Sequence, residues 1–211
     1  LKPESYVNSV KDYLSQINFD IRVIYQPLLE QIGGLRLVNG IPLERNRTWE
    51  KLGKELIEDV YEDPLGSGKF TADETATVIA GKSTTAEKIT ALYEFVGKNY
   101  QSNGPNIIWK SNTLESITKN RKGTATDLNL ILINMLRRAK ISAFPVAIST
   151  NSNGKILSYR VTSDAFNRIL TAVENDDKTI TILDASAWPH PIGFLPEEDL
   201  NREGLLLRAK D

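Results

Sequence analysis

Gly123-Thr124-Ala125-Thr126-Asp127-Leu128-Asn129-Leu130-Ile131-Leu132-Ile133-Asn134-Met135-Leu136, followed after a short break by Ile141-Ser142-Ala143-Phe144-Pro145-Val146-Ala147-Ile148-Ser149-Thr150, decides the fold. Leu128, Ile131, Leu132, Met135, Leu136 and Ala139 recur at the three- and four-residue steps of one helical face, and Leu130 and Ile133 widen the stripe. So wide an apolar surface predicts a helix buried in the centre of a domain. Thr124 or Thr126 is the expected cap, and Asp127, in the first turn, complements the positive end of the helix dipole. Beyond Lys140 the period becomes that of a strand, with Pro145 favouring an edge strand or a strand start.

Downstream, Ile169 to Val173 and Thr179 to Leu183 flank the polar turn Glu174-Asn175-Asp176-Asp177-Lys178 and predict an antiparallel hairpin; Gly204 to Arg208 reads as a last strand. Upstream the signals are helical. Thr48 opens a helix with Trp49, Leu52, Leu56 and Val60 on one face, and Thr71 with Glu74 and Thr84 with Glu87 both have capping-box spacing. A short helix is expected from Asn112 or Thr113 to Lys119. Nearer the start, Val7, Val10 and Leu14 fit a helical face, Phe19 to Tyr25 reads as a strand, and Pro27 to Arg47 reads as a long connection. Helices first and strands later predict an α+β domain with an antiparallel sheet, not a doubly wound one.

Composition narrows the function. The 211 residues carry 26 basic and 27 acidic side chains, so no global field draws in nucleic acid or an anionic membrane. No apolar run is long enough for a transmembrane helix. The start, Leu1-Lys2-Pro3-Glu4-Ser5, is not a signal peptide and lacks a Met, which suggests a processed or excised segment. With no cysteine and a single histidine, His190, the chain has no disulfide, no thiolate metal site and none of the usual paired-histidine arrangements; no metal or cofactor is expected.

Several motifs have bland explanations. Ala76 to Ser83 imitates a phosphate-binding loop but lacks its first glycine and reads as a helix end followed by the next cap. His190, between two prolines, reads as a loop residue, while Trp49 and Trp109 read as core. Trp188 reads as core or as the wall of a groove. Asp127 and Asp184 are two carboxylates with no sequence evidence that they flank one bond, so a glycosidase pair is disfavoured.

The order of motifs carries more. Gly123-Thr124-Ala125 opening a leucine-rich helix with Arg137 near its end, then the strand to Thr150, then Phe166-Asn167-Arg168-Ile169-Leu170, then Ile182-Leu183-Asp184-Ala185-Ser186, resembles the transglutaminase-like superfamily. There a Gly-x-Cys motif opens the central helix and the next strands supply His and Asp. The resemblance implies a papain-like fold and puts Ala125 at the Cys position, Arg168 at the His position and Asp184 at the Asp position. Together with Pro145-Val146-Ala147 and Gly193-Phe194-Leu195-Pro196, the pattern is similar to the transglutaminase-like region of large Bacteroidetes envelope proteins, where it lies between β-rich domains. That implies a periplasmic or cell-surface location.

In an active relative the thiol gains from the helix dipole, His takes its proton and Asp orients the His. Ala125 offers no nucleophile, an arginine at 168 is no general base, and Asp184 alone supports no acyl transfer. Loss of both Cys and His points to a natural pseudo-site; an engineered Ala125 in a transglutaminase, peptidase or amidase is the alternative. The expected division is an N-terminal extension or connecting segment over 1–45 and the transglutaminase-like domain over 46–211. Its expected role is structural, or the binding of a peptide or glycan in a groove near Thr124, Thr126, Asp127 and Trp188, and Arg168 is expected to form a salt bridge with Asp184.

Overall fold

The computed structural model describes residues 29–31, 34–36, 48–58 and 69–208. The helical face from Val7 to Leu14 and the strand expected over 19–25 lie outside them. Part of the expected connection is a small antiparallel hairpin, β1 (Leu29–Gln31) paired with β2 (Gly34–Arg36). Five helices follow in the described residues: α1 (Trp49–Leu56), α2 (Ala72–Ile79), α3 (Thr85–Asn99), α4 (Leu114–Asn120) and α5 (Ala125–Arg138). Two-residue strands β3 (Gln101–Ser102) and β4 (Lys122–Gly123) pair in parallel just before α5.

The main sheet holds β5 (Ala143–Ile148), β6 (Arg168–Glu174), β7 (Ile180–Leu183) and β8 (Gly204–Leu206) in the order β7-β6-β5-β8, every neighbour antiparallel. One face of this sheet packs on α5, whose residues 125 to 136 are all buried. Helices α2, α3 and α4 close over the other sides of α5. The fold is therefore α+β with a central helix on an antiparallel sheet, as the apolar stripe predicts. Each large side chain that α5 buries completely, such as Leu130, Ile131, Leu132 and Met135, contributes about 1.5–3 kcal/mol through removal of apolar surface from water.

Two local expectations fail for definable reasons. Pro145 lies in β5, an interior strand, and not at an edge. Its carbonyl accepts from Leu207 N at 2.9 Å, so the nitrogen that cannot donate faces β8, at the point where the three-residue ladder of β8 has ended. No ladder bond to β6 is lost. Thr71 and Glu74 have capping-box spacing, yet Thr71 makes no side-chain cap bond. Its hydroxyl is fully buried and donates to Asn134 Oδ1 of α5 at 2.5 Å, and Glu74 is drawn to the guanidinium of Arg121. At α3 the box forms: Glu87 N donates to Thr84 Oγ at 3.1 Å and Thr84 N to Glu87 Oε2 at 2.9 Å. That cap is solvent-exposed, and nothing buried competes for it.

Gly123 fixes the entry to α5. A methyl group there would lie 2.8 Å from Asp127 Cβ and 3.0 Å from Ile117 Cγ2, closer than carbon atoms tolerate. Gly123→Ala is expected to lower the unfolding free energy by about 1–3 kcal/mol in urea titrations, the usual range for overpacking. Gly53→Ala serves as the contrast: its methyl would meet Leu207 Cδ2 at 3.6 Å, an ordinary contact inside a helix, and should stabilise by about 0.5–1 kcal/mol. Equal effects of the two substitutions would refute this account of Gly123.

Candidate functional site

The site is built around the first turn of α5. Thr124 caps the helix: its Oγ accepts from Asp127 N at 3.2 Å, and the Asp127 carboxylate accepts from Thr124 N at 2.8 Å and from Thr124 Oγ at 2.9 Å. Ser111, in the loop that precedes α4, donates to the same carboxylate from its backbone N at 3.0 Å and from its hydroxyl at 2.5 Å. Asp127 is thus fully buried and surrounded by donors. Thr126 joins three segments: its hydroxyl donates to Ile107 O at 2.5 Å and accepts from Ile169 N of β6 at 3.0 Å. None of the three side chains lines an open groove, since exposure is 4% at Thr124, 1% at Thr126 and 0% at Asp127.

Asn129, which the sequence reading did not single out, is the hub one turn further on. Its amide Nδ2 donates to Ala125 O at 3.0 Å and to Asp184 Oδ1 at 2.8 Å. Its Oδ1 accepts from Ala185 N at 3.0 Å and from the Thr171 hydroxyl at 3.1 Å. Asp184 lies one residue past β7 and caps the 3₁₀ turn Ala185–Ala187, accepting from Ser186 N at 2.9 Å. A polar residue inside an otherwise apolar helical stripe is the sequence signal that marks Asn129, because a buried amide needs partners.

Arg168 opens β6 and is also buried, with 8% exposure. Its NH1 donates to Asp199 Oδ1 at 2.5 Å and its NH2 to Asn106 Oδ1 at 2.7 Å, while Glu198 Oε2 lies 3.4 Å from NH2. Asp184 Oδ2 stands 3.8 Å from NH1, near enough for charge attraction and too far for a hydrogen bond. The expected Arg168–Asp184 salt bridge is present at that length, but the closer partner is Asp199, from the 3₁₀ turn Glu197–Asp199. The reason is register. Thr171 pairs with Leu183, so Arg168 does not face Asp184 across the ladder.

Ala125, Arg168 and Asp184 nevertheless belong to one place. Asn129 Nδ2 holds both the Ala125 carbonyl and Asp184, and the residue after Arg168 is tied to Thr126. Position 125 presents a methyl group, 7% exposed. The hydroxyls beside it, Thr124 and Thr126, are each engaged as donor and as acceptor. Burial first, and then the Asp184 charge, push the Tyr93 hydroxyl up to about 12, and it donates to His190 O at 2.9 Å. Burial first, and then the charge of Asp184, against the pull of Arg168, push the Asp199 carboxyl up to about 7.

The outlying candidates separate from this cluster. Trp188 is 36% exposed and packs on α3, where a side chain at Gly97 would overlap it and Lys98 Nζ lies 5.6 Å from its ring centre. Trp109 is 44% exposed, which corrects its expected core position. Trp49 packs edge-on against Phe166 with ring centres 5.7 Å apart. His190 is exposed, with Nδ1 2.6 Å from Ala187 O. Arg137 Nε donates to Ala143 O at 2.8 Å, fastening the end of α5 to β5. Among the described residues no group of three or more His, Asp or Glu is arranged to hold a metal ion, and no helix is long and apolar enough to cross a membrane.

This helix-and-sheet arrangement is that of a known family. The family model for the transglutaminase-like superfamily matches residues 73–190, more than half of the chain, and the chain belongs to that superfamily. A solved structure from Parabacteroides distasonis, described as a "putative protease", is similar with a TM-score of 0.50 and 13% identity, over 64% of this chain and 30% of that one. At that identity the likeness concerns the fold. The chain thus spans about 30% of the length of that protein. No curated protein matches the chain.

Removing Asn129 tests the hub. Asn129→Ala leaves Ala185 N without its acceptor and Asp184 without one donor, and should cost about 2–3 kcal/mol in thermal or urea unfolding. A loss under about 0.5 kcal/mol, the level of ordinary surface substitutions, would show that these bonds are not the fastening described.

Proposed function

We propose that this domain is a non-catalytic member of its superfamily that serves as a structural module within a longer protein. The observation that carries the proposal is the state of Arg168. A guanidinium occupies the position that the resemblance gives to the catalytic base, and it is buried in contact with Asp199 and Asn106. It holds its proton and offers no lone pair. Beside it the Ala125 methyl cannot attack a carbonyl, and the alternative hydroxyls have no base to take their protons. The polar groups that remain have conformational work: Asp127 caps a helix, Asp184 caps a turn, and Asn129 joins the two.

Burial of Ala125, Arg168 and Asp184 favours this structural role over a peptide or glycan held in a groove above Ala125. One observation supports the binding alternative, the half-exposed indole of Trp188 beside Lys98, a surface on which a sugar ring or peptide would stack. Membership of a longer protein is supported by the length of the Parabacteroides distasonis structure. A periplasmic or cell-surface location between β-rich domains rests on the motif resemblance.

The test uses the wild-type chain and Ala125→Cys with amide, peptide and glutamine-donor substrates. Neither is expected to release ammonia, amine or cleaved peptide above background. Turnover by Ala125→Cys that Asp184→Ala abolishes would overturn the proposal and establish Ala125 as a replaced nucleophile. Calorimetric titration with peptides and glycan fragments should give no saturable heat. Saturable binding weakened by Trp188→Ala would establish the binding role instead.

A further inference from the structure

Arg168 gathers more acid than one guanidinium neutralises. NH1 lies 2.5 Å from Asp199 Oδ1 and 3.8 Å from Asp184 Oδ2. The side chain of Asp199 is 0% exposed and that of Asp184 1%. The second oxygen of Asp199, Oδ2, is buried and has no hydrogen-bond donor. Two ionised carboxylates on one buried guanidinium would leave a net negative charge inside the protein, and an acceptor oxygen with nothing to accept from.

We infer that Asp199 keeps its proton near neutral pH and presents it from Oδ2 to the Asp184 carboxylate, so that both acids and Arg168 form a clasp that is tight in mild acid and loosens in mild alkali. This removes both faults at once. The cluster becomes neutral, and the orphaned oxygen becomes a donor. The upward displacement of the Asp199 carboxyl, from the ordinary 3.8 to about 7, has the same physical origin: burial first, then the neighbouring Asp184 charge.

The groups facing the pair come from every element around it. Strand β6 supplies Arg168, and the segment 196–201 supplies Glu198, whose side chain is 44% exposed. The loop before α4 supplies the neutral amide of Asn106, and α5 the neutral amide of Asn129. Helix α3 supplies Tyr93, which stays neutral well above this range. Ser186 donates its hydroxyl to Asp184 at 2.7 Å.

The clasp fastens the segment 196–201 across the end of the sheet. Apart from the Glu198 carboxylate beside Arg168, which also accepts from Asn106 Nδ2 at 3.2 Å and Ser152 Oγ at 3.5 Å, that segment is held by neutral bonds: Asn151 N to Glu198 O at 2.8 Å, Asn151 Nδ2 to Glu197 O at 2.6 Å, and Asn201 Nδ2 to Ser149 O at 3.0 Å and Gly154 O at 2.8 Å. Those bonds do not titrate, so the pH response belongs to the Arg168 end. An acid whose folded value is raised binds its proton more tightly in the folded state. The stabilisation it brings is complete below its ordinary value, declines as pH rises from about 4 to about 7, and is absent above that.

The experiment is urea unfolding of the 211-residue chain and of Asp199→Asn between about pH 5 and pH 9. The asparagine amide copies the protonated acid and cannot ionise. The wild-type unfolding constant is expected to rise by up to about tenfold per pH unit between about pH 5 and pH 7, and that of Asp199→Asn to stay flat, so that the variant becomes the more stable protein at the alkaline end. His190 is common to both chains and cancels in the comparison. A variant that is destabilised by the same factor at both ends of the range, as loss of a permanently ionised pair would give, overturns the inference. Should Asp199→Asn fail to fold, carbon NMR of the wild-type carboxyl groups decides: one Asp carboxyl titrating near neutrality supports the clasp, and all of them titrating below about pH 5 refutes it.

Discussion

The structure depends on a helix that is buried from its polar first turn as far as Leu136, leaving only its last two residues partly exposed. Residues 125 to 136 of α5 all lie inside the domain, so the backbone N–H groups at its start and the side chains of Thr126, Asp127 and Asn129 have no water to turn to. Each must find a partner within the protein. The partners dictate the surroundings. The loop from 103 to 113 supplies Ile107 O and Ser111, β6 supplies Ile169 N and Thr171, and the end of β7 supplies Asp184 and Ala185 N. Segments far apart in sequence are thereby held at fixed distances from one helical turn.

The same constraint governs Arg168. Once a guanidinium is placed at the start of β6 beneath the loop and the turn Glu197–Asp199, it needs acid and amide partners, and Asp199 and Asn106 provide them. In a transglutaminase-like domain this is the neighbourhood where chemistry would be done. In this chain the neighbourhood is filled by side chains that bond to one another, which is the physical basis of the structural role proposed above. A cluster of this kind contributes little net stability when complete and costs several kcal/mol when one member is removed, because the others are left buried and unpaired.

Much of the framework is legible in the sequence because it rests on local patterns. The stripe from Leu128 to Ala139, the hairpin around Glu174 to Lys178 and the box at Thr84 and Glu87 each contain their own instructions. What is not legible depends on distant partners. Thr71 has the spacing of a cap, yet its hydroxyl is claimed by Asn134, 63 residues away. Pro145 is tolerated inside the sheet only because β8 is short. Asp199, the close partner of Arg168, sits in a run of acids with no periodicity to distinguish it from Glu197 or Glu198. The positions Ala125, Arg168 and Asp184 are found through the family resemblance and do gather in one place; Asn129, which joins two of them, carries no motif.

Hydrogen exchange at two backbone amides tests the central claim most directly. Ile169 N–H is held by Thr126 Oγ, and Ala185 N–H by Asn129 Oδ1, each at 3.0 Å. If the first turn of α5 is the fastening described, both amides exchange only when the whole domain unfolds, with the same opening free energy as core amides of α5 such as that of Leu132. Exchange at Ile169 and Ala185 through local opening, orders of magnitude faster than at Leu132, would show a site that opens by itself and would contradict the account.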